Sequence, residues 1–89
     1  MTDARTNRLK RLSLRSHRRG IKEMDLILGR FADAELERLD GPELDAYEAL
    51  LDEPDQELYQ WVTGRAPTPD RHAPLVARIR ACNGIGTHS

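Results

Sequence analysis

Apolar side chains recur along the chain at steps of three and four residues, which is the spacing of one face of an α-helix. Five stretches show this spacing. No stretch shows the sustained two-residue alternation of β-branched side chains that a half-buried strand would need. The pattern therefore predicts an all-α fold, a compact bundle of about five short helices with short connections.

The first two predicted helices meet close to a glycine. The first spans about residues 3–17, with Leu9, Leu12 and Ser16 at helical spacing on one side. The second is expected to begin near Arg19 or Gly20. Its buried stripe is predicted to contain Ile21, Met24, Leu28 and Phe31.

Other apolar residues of the second helix fall outside that stripe. Leu26 and Ile27 lie partly off the core face, where they would form either a docking patch or one edge of a wide buried stripe. Gly29 is expected to loosen this helix, because glycine is a poor helix former. Residues 33–35 are then expected to restart it.

The remaining three helices are indicated by their boundary residues. Asp40 is predicted to cap the third helix, with Glu43 in the reciprocal position of a capping box. The fourth is expected over about residues 54–63, with Gly64 as its stop, and the fifth from about residue 72 to residue 83. The predicted core positions of these helices are Leu44, Tyr47, Leu50, Leu51, Leu58, Trp61, Val62, Leu75, Val76, Ile79 and Cys82.

With 89 residues, the chain is predicted to be a single domain, residues 1–89, with a mobile tail at about 85–89. Aromatic residues make up only 4% of the chain and charged residues 33%. This composition favours amphipathic helices over a large enclosed catalytic cavity. The chain is therefore predicted to be a partner-binding module and not an enzyme.

Charge is distributed unevenly along the chain. Residues 1–22 contain eight basic residues and one acidic residue, whereas residues 23–89 contain six basic and fourteen acidic residues. The two parts are predicted to present opposite electric fields to partners. We expect the basic first helix to contribute to partner encounter more than to folding, and nucleic-acid binding is the alternative use of its charge.

Several kinds of chemistry find no support in the sequence. Cys82 is the only cysteine, so an intrachain disulfide is excluded and a reducing cytoplasm is expected. No apolar run approaches the length of a membrane span. His17, His72 and His88 are scattered without metal-binding spacing, and all three are interpreted as surface or boundary residues.

The segment around Gly20 combines residues that invite a functional interpretation. In a helix, Arg19 and Glu23 would project together because they are four residues apart, and Arg30 would follow on that face. Gly20 marks a helix boundary or bare backbone that another surface approaches. From spacing alone, an ordinary exposed ion pair between Arg19 and Glu23 is an equally good interpretation.

Residues 19–23, Arg-Gly-Ile-Lys-Glu, match the RGxxE signature of the SdhE family of succinate dehydrogenase assembly factors. Arg18 precedes the motif, and Met24-Asp25 follows it where members often have Leu-Asp. Residues 55–62 resemble the family's D-x-x-L-x-x-W stretch, and a Gly/Pro loop and a last helix ending in Arg and Asn extend the resemblance. The distance of the motif from residue 1 resembles that of bacterial members, so no mitochondrial presequence is expected.

The resemblance implies a non-catalytic factor that binds the flavoprotein subunit of succinate dehydrogenase, with that of fumarate reductase as a second candidate. The factor would promote covalent attachment of FAD to a client histidine without binding a cofactor stably itself. The partner-binding residues that the motif and its surroundings imply are Arg18, Arg19, Gly20, Glu23, Asp25, Leu26 and Arg30. The free protein is expected to be a cytoplasmic monomer that binds no nucleic acid. The alternative is a nucleic-acid-binding or toxin-antitoxin regulator that uses the basic first helix.

Overall fold

The computed structural model describes residues 3–85, which form five α-helices and one short 3₁₀ turn. The helices are α1 (Ala4–His17), α2 (Lys22–Glu35), α3 (Gly41–Leu51), α4 (Asp55–Val62) and α5 (Ala73–Asn83), and the 3₁₀ turn is Leu36–Arg38. No strand occurs in this part of the chain, so the predicted all-α bundle is confirmed. Most of the predicted mobile tail at 85–89, including His88, lies outside the described residues.

Helix α2 lies at the centre of the bundle and packs against α1, α4 and α5. Met24, Leu28 and Phe31 are fully buried along its inner side, as their spacing predicts, and Ile21 just before the helix is half-buried. The ring of Phe31 lies 5.4 Å from that of Tyr47 on α3, measured between centroids. The apolar stripe of α2 is therefore the common surface on which the other helices pack.

A buried hydrogen-bond chain ties α1 to α3. The Ser16 hydroxyl donates to the carbonyl of Leu12 at 2.8 Å, and its oxygen lies 2.6 Å from the Tyr47 hydroxyl. Burial raises the pKa of Tyr47 to about 12, so the phenol keeps its proton at neutral pH. Tyr47 then donates to Ser16, and each of the two buried hydroxyls has a partner.

Two basic residues of α1 form ion pairs with acidic residues of α3 and of the position that follows it. Arg8 pairs with Asp45 at 2.6 Å and with Glu48 at 2.9 Å, and Arg15 pairs with Asp52 at 2.8 Å. These contacts neutralise charge that was expected to remain available for a partner. The opposite side of α1 is buried in the core. Helix α1 therefore contributes to the fold through both sides, while its greater contribution to partner encounter stays a prediction.

Gly29 lies within an unbroken helix, so the predicted loosening at this position and the restart at residues 33–35 are wrong. A side chain at Gly29 would collide with His17, because its Cβ would lie 2.6 Å from the imidazole Nδ1. The other imidazole nitrogen lies 3.1 Å from a carboxylate oxygen of Asp33. Gly29 thus lets the end of α1 approach the backbone of α2.

The boundaries of α3, α4 and α5 lie close to the predicted capping and stop residues. The carboxylate of Asp40 accepts from the backbone N–H of Glu43 at 2.9 Å, and the carboxylate of Glu43 accepts from that of Asp40 at 3.0 Å. This is the predicted capping box. Helix α4 ends at Val62, two residues before Gly64, and α5 ends at Asn83, directly before Gly84, which adopts a left-handed conformation. Cys82 is half-buried and packs against the core.

His72 departs from its predicted place at the surface, since it is only 2% exposed. Its imidazole Nε2 lies 2.8 Å from the carboxylate of Glu53, and its ring lies 5.6 Å from that of Trp61. A hydrogen-bonding partner makes burial of this polar ring acceptable. His17, in contrast, is exposed as expected.

Trp61→Ala is predicted to destabilise the protein severely, because the Trp61 side chain is buried as predicted and its ring packs against that of His72. Loss of a buried tryptophan costs about 3–5 kcal/mol, a large fraction of the stability of a small domain. Urea unfolding followed by circular dichroism measures this loss. Gln60→Ala, on the exposed side of α4, is the control and should change stability by less than about 0.5 kcal/mol. A Trp61→Ala protein as stable as the wild type would contradict the structural role.

Candidate functional site

The RGxxE motif lies mostly in a turn and not on a helix. Helix α1 ends at His17 and α2 begins at Lys22, so the predicted start of α2 near Arg19 or Gly20 is wrong. Arg19 and Glu23 consequently do not share a helical face, and no ion pair joins them. The Arg19 side chain is only 11% exposed, whereas Glu23 is exposed on the first turn of α2.

The Arg19 side chain anchors this turn to the rest of the bundle. Its Nε donates to the Asp55 carboxylate at 2.7 Å. Its two terminal nitrogens donate to the carbonyls of Leu51 at 2.7 Å and Glu53 at 3.0 Å. The carbonyl of Leu51, at the end of α3, has no partner within that helix, so the guanidinium satisfies an acceptor that would otherwise need water. Arg19 therefore joins the turn to the connection between α3 and α4.

Asp25 holds the same turn from the other side. The half-buried carboxylate of Asp25 accepts a hydrogen bond from the backbone N–H of Arg19. The backbone N–H of Asp25 donates to the carbonyl of Ile21 at 2.9 Å. Ile21 is the N-cap of α2 and supplies no side-chain acceptor. The turn is thus fixed by Asp25 on one side and by the Arg19 guanidinium on the other.

Gly20 lies at the tip of the turn with a backbone φ of +97°. Residues with side chains are disfavoured in this left-handed region, at a cost of about 1–2 kcal/mol. A Cβ added at Gly20 would meet no atom within 4 Å. The backbone conformation therefore favours glycine here, while the space beside the residue is open to an approaching molecule.

Glu23, Leu26 and Arg30 follow each other along the exposed side of α2 at steps of three and four residues. Leu26 is 56% exposed, which is unusual for a large apolar side chain in this protein. Neither Glu23 nor Arg30 has a salt-bridge partner among residues 3–85. We call Gly20, Glu23, Leu26 and Arg30 the docking ridge. Arg18, at the end of α1, is also exposed and lines the groove between α1 and α2.

The structure therefore divides the seven sequence-predicted site residues into two groups. Arg19 and Asp25 bond within the chain and fix the turn. The other five are exposed: Arg18, Gly20, Glu23, Leu26 and Arg30.

Glu53 connects the anchored turn to α5. Its carboxylate accepts from His72 at 2.8 Å and from Arg71 at 3.1 Å, while its backbone carbonyl accepts from Arg19. The hydrogen bond from His72, followed by that from Arg71, lowers the pKa of Glu53. Sequence reasoning missed the supporting roles of Glu53, His72 and Asp55. Of these three residues, only Asp55 belongs to a sequence pattern that could have indicated its role, because it is the first residue of the segment that resembles D-x-x-L-x-x-W.

Residues 3–85 contain no group of three or more His, Cys, Asp or Glu side chains arranged to hold a metal ion. Within the same residues, no helix combines the length and the apolar character needed to cross a membrane. What the site does provide is a fixed turn and an exposed helix face that carry unpaired charges and an apolar side chain. Such an arrangement suits contact with another macromolecule.

Comparison with known proteins gives consistent matches. A model of the family described as the flavinator of succinate dehydrogenase, Sdh5, matches residues 10–83. The chain is 44% identical over 72 residues to mitochondrial succinate dehydrogenase assembly factor 2 of Meyerozyma guilliermondii, covering 78% of this chain and 53% of that protein. The protein of the same name from Mycosarcoma maydis is 43% identical over 72 residues, covering 81% of this chain and 30% of the relative.

A bacterial protein also matches the chain. The FAD assembly factor SdhE of Acetobacter pasteurianus is 37% identical over 73 residues, which cover 81% of this chain and 67% of that protein. The chain therefore spans about half or less of the length of the two fungal relatives and two thirds of the bacterial one.

Arg19→Ala is predicted to destabilise the fold by about 2–4 kcal/mol, because it removes three hydrogen bonds and leaves the half-buried Asp55 carboxylate without its partner. Arg18→Ala is the matched control. Arg18 is the neighbouring arginine and is exposed, so its loss should change stability by less than about 0.5 kcal/mol. Urea unfolding of both variants measures the difference. Equal stabilities would show that Arg19 is not an anchor.

Glu53→Gln is predicted to make stability less sensitive to acid. The folded-state pKa of Glu53 is lowered, so its contribution is present above the unfolded-state pKa of about 4.3 and is lost as pH falls through the lower folded value. The melting temperature of the wild type should exceed that of Glu53→Gln at about pH 6 and approach it at about pH 3. Glu57→Gln, at an exposed position of α4, should show no such convergence. A difference in melting temperature between wild type and Glu53→Gln that stays constant with pH would contradict the lowered pKa of Glu53.

Proposed function

The chain belongs to the Sdh5 family, the flavinators of succinate dehydrogenase, and on that premise we propose that it is an assembly factor for the flavoprotein subunit of this enzyme. It binds that subunit and promotes covalent attachment of FAD to it. The observation that carries the proposal is the family match over residues 10–83, which includes the whole RGxxE motif. The flavoprotein subunit of fumarate reductase is proposed as a second client.

In this proposal the chain is not an enzyme, and FAD is the cofactor of the client. The bond forms between the flavin and a histidine of the client, and this protein holds no cofactor stably. Its contribution is to bind and thereby stabilise the client conformation in which histidine and flavin are aligned. Correct orientation of two reacting groups can lower a barrier by several kcal/mol.

The docking ridge supplies the contacts with the client. Gly20 permits close approach of the client backbone, Glu23 makes a polar contact, and Leu26 buries apolar surface. Arg18 and Arg30 contribute positive charge at the edge of this contact. Arg19 and Asp25 act indirectly, because they fix the turn that carries Gly20.

The free chain is proposed to be a monomer in the cytoplasm, while the fungal relatives are named mitochondrial. The alternative, a nucleic-acid-binding or toxin-antitoxin regulator, receives no support from the comparisons. Two arginines of the basic helix, Arg8 and Arg15, are moreover occupied by ion pairs within the chain.

Gly20→Arg and Glu23→Ala are predicted to abolish covalent FAD attachment to the client while leaving the bundle folded. The Gly20→Arg side chain would project into the space that the client occupies. Removal of the Glu23 carboxylate would cost about 2 kcal/mol or more if it lies at the centre of the interface. The measurement is the fluorescence of client-bound FAD in denaturing gels of cells that express each variant.

Two matched controls separate docking from folding. Gly20→Ala has the same unfavourable φ as Gly20→Arg but adds little volume, so it should retain more FAD attachment. Glu37→Ala removes an exposed carboxylate away from the ridge and should have no effect. Circular dichroism melts verify folding. Normal FAD attachment with both Gly20→Arg and Glu23→Ala would refute the proposal that the docking ridge contacts the client. Unfolding of both variants would give the motif a purely structural role.

A further inference from the structure

A groove runs beside the docking ridge, between the start of α2 and the exposed side of α4. Its volume is about 350 Å³, and it is lined by Ile21, Glu23, Gln56, Tyr59, Gln60 and Arg65. Ile21 and Glu23 belong to the RGxxE segment, so the groove is continuous with the ridge. The other four residues lie in α4 and the turn that follows it, about forty residues away in sequence.

Two residues of opposite charge, Glu23 and Arg65, line this groove and do not form an ion pair with each other. Glu23 is exposed on one wall and has no hydrogen-bond or ion-pair partner among residues 3–85. The Arg65 guanidinium lies over the ring of Tyr59, with its central carbon 5.6 Å from the ring centroid. Arg65 forms no ion pair within the described chain. Both charges are therefore available to a partner that carries the complementary groups.

The α4 wall of the groove is held in place by backbone contacts. Gln56, Tyr59 and Gln60 share the side of α4 opposite the buried Leu58 and Val62. The backbone N–H groups of residues 65 and 66 both donate to the carbonyl of Gln60, at 2.8 Å and 3.2 Å. The turn that carries Arg65 is thereby fixed relative to the helix. A fixed wall lowers the entropy that would be lost on binding.

We propose that this groove is a second contact site for the client flavoprotein subunit, and that it binds a polypeptide segment of that subunit. An acidic side chain of the segment pairs with Arg65, and a basic or hydrogen-bond-donating group pairs with Glu23. The amides of Gln56 and Gln60 can bond to the main chain of the segment, because each amide is both donor and acceptor. This inference rests on the proposed function and specifies which further residues contact the client.

The groove suits a peptide better than the flavin cofactor. Pockets that bind cofactors bury most of the ligand surface, whereas this groove is open to solvent along the surface of the bundle. The groove is lined by one positive group, Arg65, and one negative group, Glu23, so it offers the doubly charged pyrophosphate of FAD no net positive charge. A peptide with groups of both signs meets neither obstacle.

The test measures the affinity of the full chain for the purified flavoprotein subunit. Arg65→Glu should weaken binding about tenfold or more, because it places a like charge opposite the acidic group of the client. Arg38→Glu is the matched control, since the Arg38 side chain is 75% exposed and lies outside the groove; its affinity should equal that of the wild type. A photo-crosslinking amino acid in place of Gln60 should form an adduct with the flavoprotein subunit, while the same amino acid in place of Arg38 should not.

The possible outcomes separate this inference from the proposed function. If the wild-type chain and Arg65→Glu bind the subunit equally and no adduct forms at position 60, the groove is not a contact site and the assembly function stands. If the wild-type chain does not bind the subunit, the proposed function fails and the groove with it. If free FAD binds the chain alone and Arg65→Glu abolishes that binding, the groove takes the flavin and the peptide assignment is overturned. Circular dichroism melts of Arg65→Glu and Arg65→Ala control for folding.

Discussion

The contact between the Arg19 guanidinium and the α3–α4 connection determines how the functional surface is presented. One side chain reaches Asp55 and two carbonyls, those of Leu51 and Glu53, and so joins segments more than thirty residues apart. Arginine is suited to this role because its planar group donates several hydrogen bonds in fixed directions and stays charged. Lysine, a single flexible ammonium, would not reach all three acceptors in one geometry. The exposed residues of the motif depend on this buried one for their position.

Electrostatic pairing in this protein is mostly internal. The basic first helix and the acidic remainder, which look like separate surfaces in the sequence, meet through Arg8 and Arg15. Individual exposed pairs of this kind contribute little stability. They do, however, remove positive charge from the side of α1 that faces α3. Among the charges without an ion-pair partner in the described chain, Glu23, Arg30 and Arg65 lie on or beside the docking ridge, while others, such as Lys10 and Arg11, lie on α1.

The sequence predicts the helices of this protein well, because apolar spacing and capping residues are local signals. The capping box of Asp40 and Glu43, the buried stripe of α2 and the stop after α5 all follow from neighbours within a few residues. The turn at Gly20 does not follow from the sequence, because the three- and four-residue spacing continues through residues 19–23 and a helix start at Arg19 fits the pattern equally well. The partners of Arg19 and His72 are distant in sequence, and no local pattern identifies them. The close approach at Gly29 comes from His17 on another helix, so the residues next to position 29 do not indicate it either.

The open space beside Gly20 means that a substitution there can affect both contact with the client and the stability of the fold. Proteases and chaperones of the cell recognise proteins by the fraction that is unfolded. A Cβ at position 20 would meet no other atom within 4 Å, so the strain of a substitution there is that of the local backbone, about 1–2 kcal/mol. A destabilisation of this size can lower the abundance of a protein in the cell several-fold. Lost FAD attachment therefore reports on docking only when a variant is compared with another that carries the same backbone strain, such as Gly20→Ala.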